Sequence, residues 1–396
     1  MFGHPRERFG AALLIAAVLL TACGSGSTSP TASATSDATA GSPTASSTLG
    51  KATCSPLTDG IAYKMSSCQV DAPSLAGNLL GDPASLSTYV LTPIDYQTSG
   101  IRYPVVYMLA GYTDPATGIA YSLEAAPEPN QGSPVNPIIV VVSGVNALGG
   151  GFYVNSTVSG NWEDAIVKDL VGYVDTNYRT IAKPASRGIA GHSMGGFGAV
   201  NAAMRHPDVF GALFAEAAGL FDADGAQARL GDPTMVQQVL AIEQAIVGAD
   251  VSDAAAELKN LAASSEGVQV EIAYGTAFVP DPKSSLLMQF PFRTENGKTV
   301  RDDALWAKWE AGFGGLSAKL AQYESNLRQL HGIVVDYGTA DEYPWIPKGG
   351  HYFVGLLQTA GISVVETTFN GGHNDQVGNR LVTQMLPFMQ EKLSAS

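Results

Sequence analysis

Seven short apolar runs set the frame of this chain: Ser87–Leu91, Pro104–Leu109, Pro137–Ser143, Gly188–Ala190, Ala212–Ala217, Ile333–Tyr337 and Val364–Phe369. Those rich in Val and Ile lack polar alternation, as strands buried on both faces of a mostly parallel sheet do. Stripes of helical period lie between them. Ile166, Val167, Leu170, Val171 and Val174 share one face of Trp162–Tyr178. Leu316, Leu320, Tyr323, Leu327 and Leu330 share another, ended by Gly332, and Tyr352–Ala360 and Asn379–Leu393 supply two more. Strands alternating with helices predict an α/β three-layer sandwich. The alternation runs to the end, which predicts one domain over residues 51–396. An insertion at 222–299 interrupts it, with helices expected at Thr234–Val247 and Ser252–Ala263 and a Pro-rich stretch around Val279–Pro291. It is either a lid or pocket wall, or an inert excursion.

The first fifty residues follow other rules. His4, Arg6 and Arg8 precede the apolar run Ala11–Leu20, which is too short to span a bilayer. With the small residues that follow, this predicts a secretory signal peptide over 1–22. Leu20-Thr21-Ala22-Cys23 resembles a bacterial lipobox. That resemblance implies a lipid on Cys23, a membrane partner through the lipid, and export to the outer face of the cytoplasmic membrane or the cell envelope. From Gly24 to Gly50 the chain is nearly all Ser, Thr, Ala, Gly and Pro. It has too few apolar residues to offset ordering and predicts a disordered tether. Cys54 and Cys68 remain as an even pair, expected as a disulfide closing a short loop. The net charge of -14, uninterrupted by a Lys/Arg cluster, argues against a nucleic-acid partner. Neither a metal-ligand cluster nor a phosphate loop is visible, so no cofactor is implied; the oligomeric state is unspecified.

The chemistry concentrates at Gly191-His192-Ser193-Met194-Gly195. This G-x-S-x-G pattern, after a short apolar lead-in and before a small-residue helix, is the signature of a nucleophile elbow. Side chains at Gly191 and Gly195 would collide with neighbouring backbone in so sharp a turn. A serine needs a base to take its proton. His373, in the loop Asn370-Gly371-Gly372-His373-Asn374 after the last strand, is favoured, and His351 is the alternative. His192 is expected to point away from the hydroxyl. The acid should lie between nucleophile and base in chain order. Asp341, after the Ile333–Tyr337 strand, fits; Asp222 and Asp224 remain alternatives, Asp336 reads as structural, and Glu342 is expected to point elsewhere. The oxyanion donors expected are the N–H groups of Met194 and of Tyr112, in Ala110-Gly111-Tyr112.

Tyr103 to Leu109, Tyr178-Arg179-Thr180, Arg187 to Ala199, Gly338 to Asp341 and Gly371-Gly372-His373 together resemble the putative esterase family of α/β-hydrolases. That family contains esterase D, feruloyl and acetylxylan esterases, enterochelin esterases and mycolyltransferases. The resemblance implies the triad Ser193, Asp341 and His373 and a serine hydrolase of a small-molecule or cell-envelope carboxylic ester. Acyl transfer with the same triad, and a non-catalytic ligand-binding lipoprotein, are the alternatives. Many members carry His-Gly or Asp-Gly where this chain has Ala110-Gly111, so a side chain that would brace the oxyanion loop is missing. Tyr153 and Gly160-Asn161-Trp162 either line the pocket or pack.

Overall fold

Nine strands form one sheet in the computed structural model, which describes residues 50–127, 135–263 and 266–394. The expected signal segment, Cys23 and the tether up to residue 49 lie outside the described residues. The strands are β1 (Ala52–Asp59), β2 (Tyr63–Asp71), β3 (Ser85–Pro93), β4 (Val105–Leu109) and β5 (Ile138–Val142). They continue as β6 (Arg187–His192), β7 (Ala212–Glu216), β8 (Gly332–Gly338) and β9 (Val365–Phe369). Their order across the sheet is β1-β2-β3-β5-β4-β6-β7-β8-β9. β1, β2, β3 and β5 pair antiparallel in succession, and every later pairing is parallel. Each expected run holds a strand.

The lack of alternation has the expected cause. Every residue of β4, β5 and β7 is buried, because helices cover both faces. Val105, Tyr107, Leu109 and Val140 face a layer that includes Trp162–Asn177, Met194–Arg205 and Leu316–Leu327. Val106, Met108, Ile139 and Phe214 face Thr117–Glu124 and the C-terminal helical run through Met385 and Met389. Each such side chain taken from water contributes about 1.5–3 kcal/mol before entropy is counted. No helix of the described residues is long and apolar enough to cross a membrane.

Several elements differ from the sequence expectation. β1 and β2 are absent from the apolar runs because β1 is a largely exposed, Ser- and Thr-containing edge strand. Its Pro56 sits where the register shifts, a position an edge strand tolerates. Cys54 and Cys68 are bonded, as directly opposed partners across this hairpin rather than at the neck of a loop. In the insertion, Pro233–Ile246 and Val251–Ala262 are helical as expected. A third helix, Glu266–Phe278, is not foreshadowed by any stripe. Its buried residues Val268, Ile272, Ala273, Tyr274 and Ala277 spread around the axis, so no single apolar face shows in sequence. His351, expected to open a helix, lies inside Trp345–Thr359.

Removing the disulfide frees the unfolded chain. In the chain-entropy view a loop of this length is worth roughly 3 kcal/mol. The Cys54→Ser, Cys68→Ser double variant should lose about that much in a denaturant titration; an unchanged midpoint would contradict it.

Candidate active site

The C-terminal ends of β4, β6, β8 and β9 converge on Ser193. The residue stands between β6 and the helix Met194–Arg205 with φ 57° and ψ −116°, a strained backbone for a residue with a side chain. Two glycines make the turn possible. A Cβ on Gly191 would lie 2.0 Å from the Gly195 carbonyl oxygen, and one on Gly195 would lie 2.0 Å from that of Leu109. The turn is tied to the next strand: Ser193 N–H donates to the Glu216 carbonyl at 3.0 Å, and Ser193 C=O accepts from Gly219 N–H at 3.0 Å.

His373 Nε2 lies 2.8 Å from Ser193 Oγ, and its Nδ1 lies 2.8 Å from Asp341 Oδ2. A carboxylate only accepts, so Nδ1 carries the hydrogen and the Nε2 lone pair faces the serine hydroxyl. Asp341 Oδ1 accepts from Tyr343 N–H at 2.8 Å, and its side chain is wholly buried. The loops that carry Asp341 and His373 are joined by Ala340 N–H donating to Gly371 C=O at 3.0 Å. The alternatives lie elsewhere. His351 is exposed and faces Glu366 at 2.9 Å, and Asp222 accepts from Asp224 N–H within its own turn. Asp336 is paired with Arg380 and accepts from Thr367 Oγ1 at 2.6 Å, as a structural residue would.

Met194 opens the elbow helix, whose first N–H groups have no partner inside the helix. Gly111 and Tyr112 line the same cavity as Ser193. Their loop is braced after all. Tyr153 O–H donates to Ala110 C=O at 3.0 Å, and Tyr112 O–H to Leu148 C=O at 2.6 Å. A distant tyrosine therefore supplies what the missing neighbouring side chain would have given. Phe152, not Tyr153, reaches the cavity, and Trp162 Nε1 donates to Ser159 C=O in packing.

The cavity above Ser193 measures about 550 Å³. Phe152, Phe221, Tyr274, Phe313 and Trp345 give it an aromatic lining. The insertion forms one wall, through Arg229, Leu230, Met235, Val270 and Tyr274. Arg229 Nη1 donates to Glu271 Oε1 at 2.8 Å, and burial pushes the Glu271 carboxyl up to about 7.

Two neighbours of the triad escape a sequence reading. His192 Nε2 lies 3.0 Å from the His373 carbonyl oxygen. Glu342 does not point away: its Oε2 accepts from His373 N–H at 2.7 Å. Glu342 is visible only as a second acid beside Asp341, and nothing local to His192 shows its partner. Burial pushes the His192 pKa down to about 4. Glu216, its in-register neighbour, has carboxyl oxygens with no hydrogen-bond partner among the described residues, and burial raises its pKa well above the usual range.

Comparison with known proteins agrees with this architecture. Residues 83–339 match the family described as "Putative esterase". Esterase Rv1288 and Esterase MT1326, from two strains of Mycobacterium tuberculosis, are each 36% identical over 121 residues, covering 30% of this chain. The chain spans only 25% of the length of those relatives. A solved ferulic acid esterase is 18% identical with a TM-score of 0.51, covering 87% of this chain and 99% of its own, a likeness of fold.

The buried His192 ring links stability to pH. Unfolded it protonates near 6.5, and folded near 4. Between those values the unfolded state binds more protons, so stability falls as pH drops from 6.5 to 4, by about 3 kcal/mol. His192→Gln should lack this contribution. Denaturant titrations over that window should show the parent protein losing more stability than the variant; parallel losses would contradict it.

Proposed function

This chain belongs to the putative esterase family, and from that premise we propose that it is a serine carboxylic-ester hydrolase working through an acyl-enzyme on Ser193. The observation that carries the proposal is the unbroken line of hydrogen bonds from Ser193 Oγ through the His373 ring to Asp341, opening on the aromatic cavity. His373 Nε2 takes the serine proton as Oγ attacks the ester carbonyl carbon. The carbonyl oxygen gains negative charge and is held by the Met194 and Tyr112 N–H groups, a contribution of about 10²–10³ in rate per donor. Asp341 keeps the ring in the required tautomer and stabilises its charged form. The tetrahedral species collapses by breaking the carbon–oxygen bond to the alcohol, which leaves with the proton from Nε2. Water, deprotonated by the same nitrogen, then attacks the acyl-enzyme. It releases the acid and returns the proton to Ser193. The aromatic lining suits an apolar portion of the ester.

The same reading places the enzyme outside the cytoplasm, anchored by a lipid on Cys23. His4, Arg6, Arg8, the Ala11–Leu20 run and Leu20-Thr21-Ala22-Cys23 support it. The Cys54–Cys68 bond supports an oxidising compartment.

A fluorophosphonate probe should label Ser193 in the folded protein. Ser193→Ala and His373→Ala should each lower kcat on p-nitrophenyl acetate by about 10⁴-fold or more; a rate within tenfold of the parent's would show the triad to be wrong. In cells fed an alkynyl fatty acid, the parent should take up the label and Cys23→Ser should not. Equal labelling would remove the anchor.

A further inference from the structure

We propose that His192 and Glu342 are positioning residues that grip the main chain of His373 from opposite sides and so aim its ring at Ser193. The proposal rests on the triad reading above. Three polar handles of one residue are held by three side chains. Asp341 takes the ring Nδ1–H at 2.8 Å, Glu342 takes the backbone N–H at 2.7 Å, and His192 donates to the backbone C=O at 3.0 Å. Fixing the N–H and the C=O of a residue fixes the peptide planes on either side of its Cα, and with them the origin of the side chain. The Asp341 bond then selects the ring rotation.

Each holder sits where the chemistry needs a reference point. Glu342 follows Asp341, so one loop orients both the ring and the main chain of the base. His192 precedes Ser193, so the elbow itself carries the second grip. A carbonyl oxygen only accepts, which makes His192 Nε2 the protonated nitrogen and leaves Nδ1 bare. That bare edge faces the oxyanion loop, since a Cβ on Gly111 would lie 3.4 Å from Nδ1. The two imidazole rings lie against one another with centroids 4.9 Å apart and their planes tilted by 39°. The His192 ring therefore spaces nucleophile elbow, oxyanion loop and base loop at once. Burial, which holds its pKa near 4, keeps it a neutral single donor above that pH.

Gly372 supports the same reading. A Cβ there would lie 2.6 Å from Glu342 Oε2, so glycine leaves the path by which the carboxylate reaches the His373 N–H. Glu342 is exposed, so truncating it opens no cavity, and a role in aim can be separated from a role in packing.

The test uses the purified protein with p-nitrophenyl butyrate kinetics, fluorophosphonate labelling rates and thermal melts on Glu342→Ala, Glu342→Gln, His192→Phe and the double variant Glu342→Ala, His192→Phe. Misaiming a base by about 1 Å costs on the order of 10²-fold. Glu342→Ala and His192→Phe should each lower kcat by about 10- to 100-fold, with KM within about twofold. Glu342→Gln keeps an acceptor oxygen for the N–H and should restore most of the rate. The double variant should lose less than the product of the single losses, since both act through His373. The clamp is overturned if Glu342→Ala keeps kcat within twofold, if the change falls on KM alone, or if Glu342→Gln is as slow as Glu342→Ala. Absence of a Ser193 adduct in the parent protein would instead bring down the triad reading, and the clamp with it.

Discussion

A close approach of two backbones governs this site. The elbow helix begins so near the ends of β4 and β6 that any side chain at Gly191 or Gly195 would overlap a peptide carbonyl. Only that proximity lets Ser193 hold its strained φ and ψ and stand clear of the sheet above the cavity. Strain of this kind costs of order 1–3 kcal/mol and persists where the surroundings over-determine it. Here the bonds to Glu216 and Gly219 and the buried strands on either side do so.

A parallel sheet brings the other loops to the same place. β8 delivers Asp341, β9 delivers His373 and β4 delivers Gly111, each from the carboxyl end of its strand. The base loop then depends on pairwise contacts, with the acid loop bonded to it through Ala340 and Gly371. Beneath the loops runs a polar row in register, His192, Glu216, Asp336 and Thr367, with Arg380 paired to Asp336. The Arg380 charge offsets Asp336, while burial and then the neighbouring Asp336 carboxylate raise the Glu216 pKa.

Much of this framework is legible in residues close together in the chain. The apolar runs of the central strands β4 to β8 reveal their strands because burial on both faces removes polar alternation. The elbow is legible because steric exclusion leaves glycine at fixed spacing from Ser193. Where the physical cause is not local, the sequence is silent or misleading. The exposed edge strand β1 has no apolar signal, and the helix Glu266–Phe278 hides its burial by being covered on several sides. Glu342 reads as a spare acid because its partner N–H lies 31 residues away. The Ala110-Gly111 departure looks like a lost brace because Tyr153, which supplies it, is 43 residues distant.

The sequence by itself determined the seven apolar strands and the striped helices between them, the strained turn and the candidate nucleophile, base and acid in their chain order. Those are properties of period, steric size and sequence spacing, which act between near neighbours. Tertiary structure decided which strands lie side by side, which wall of the cavity the insertion forms, and how the base is held. The contact between His192 and His373 spans 181 residues and exists because β6 and β9 end on the same edge of one sheet. No local pattern encodes such a contact, because its energy depends on where the rest of the chain has already packed.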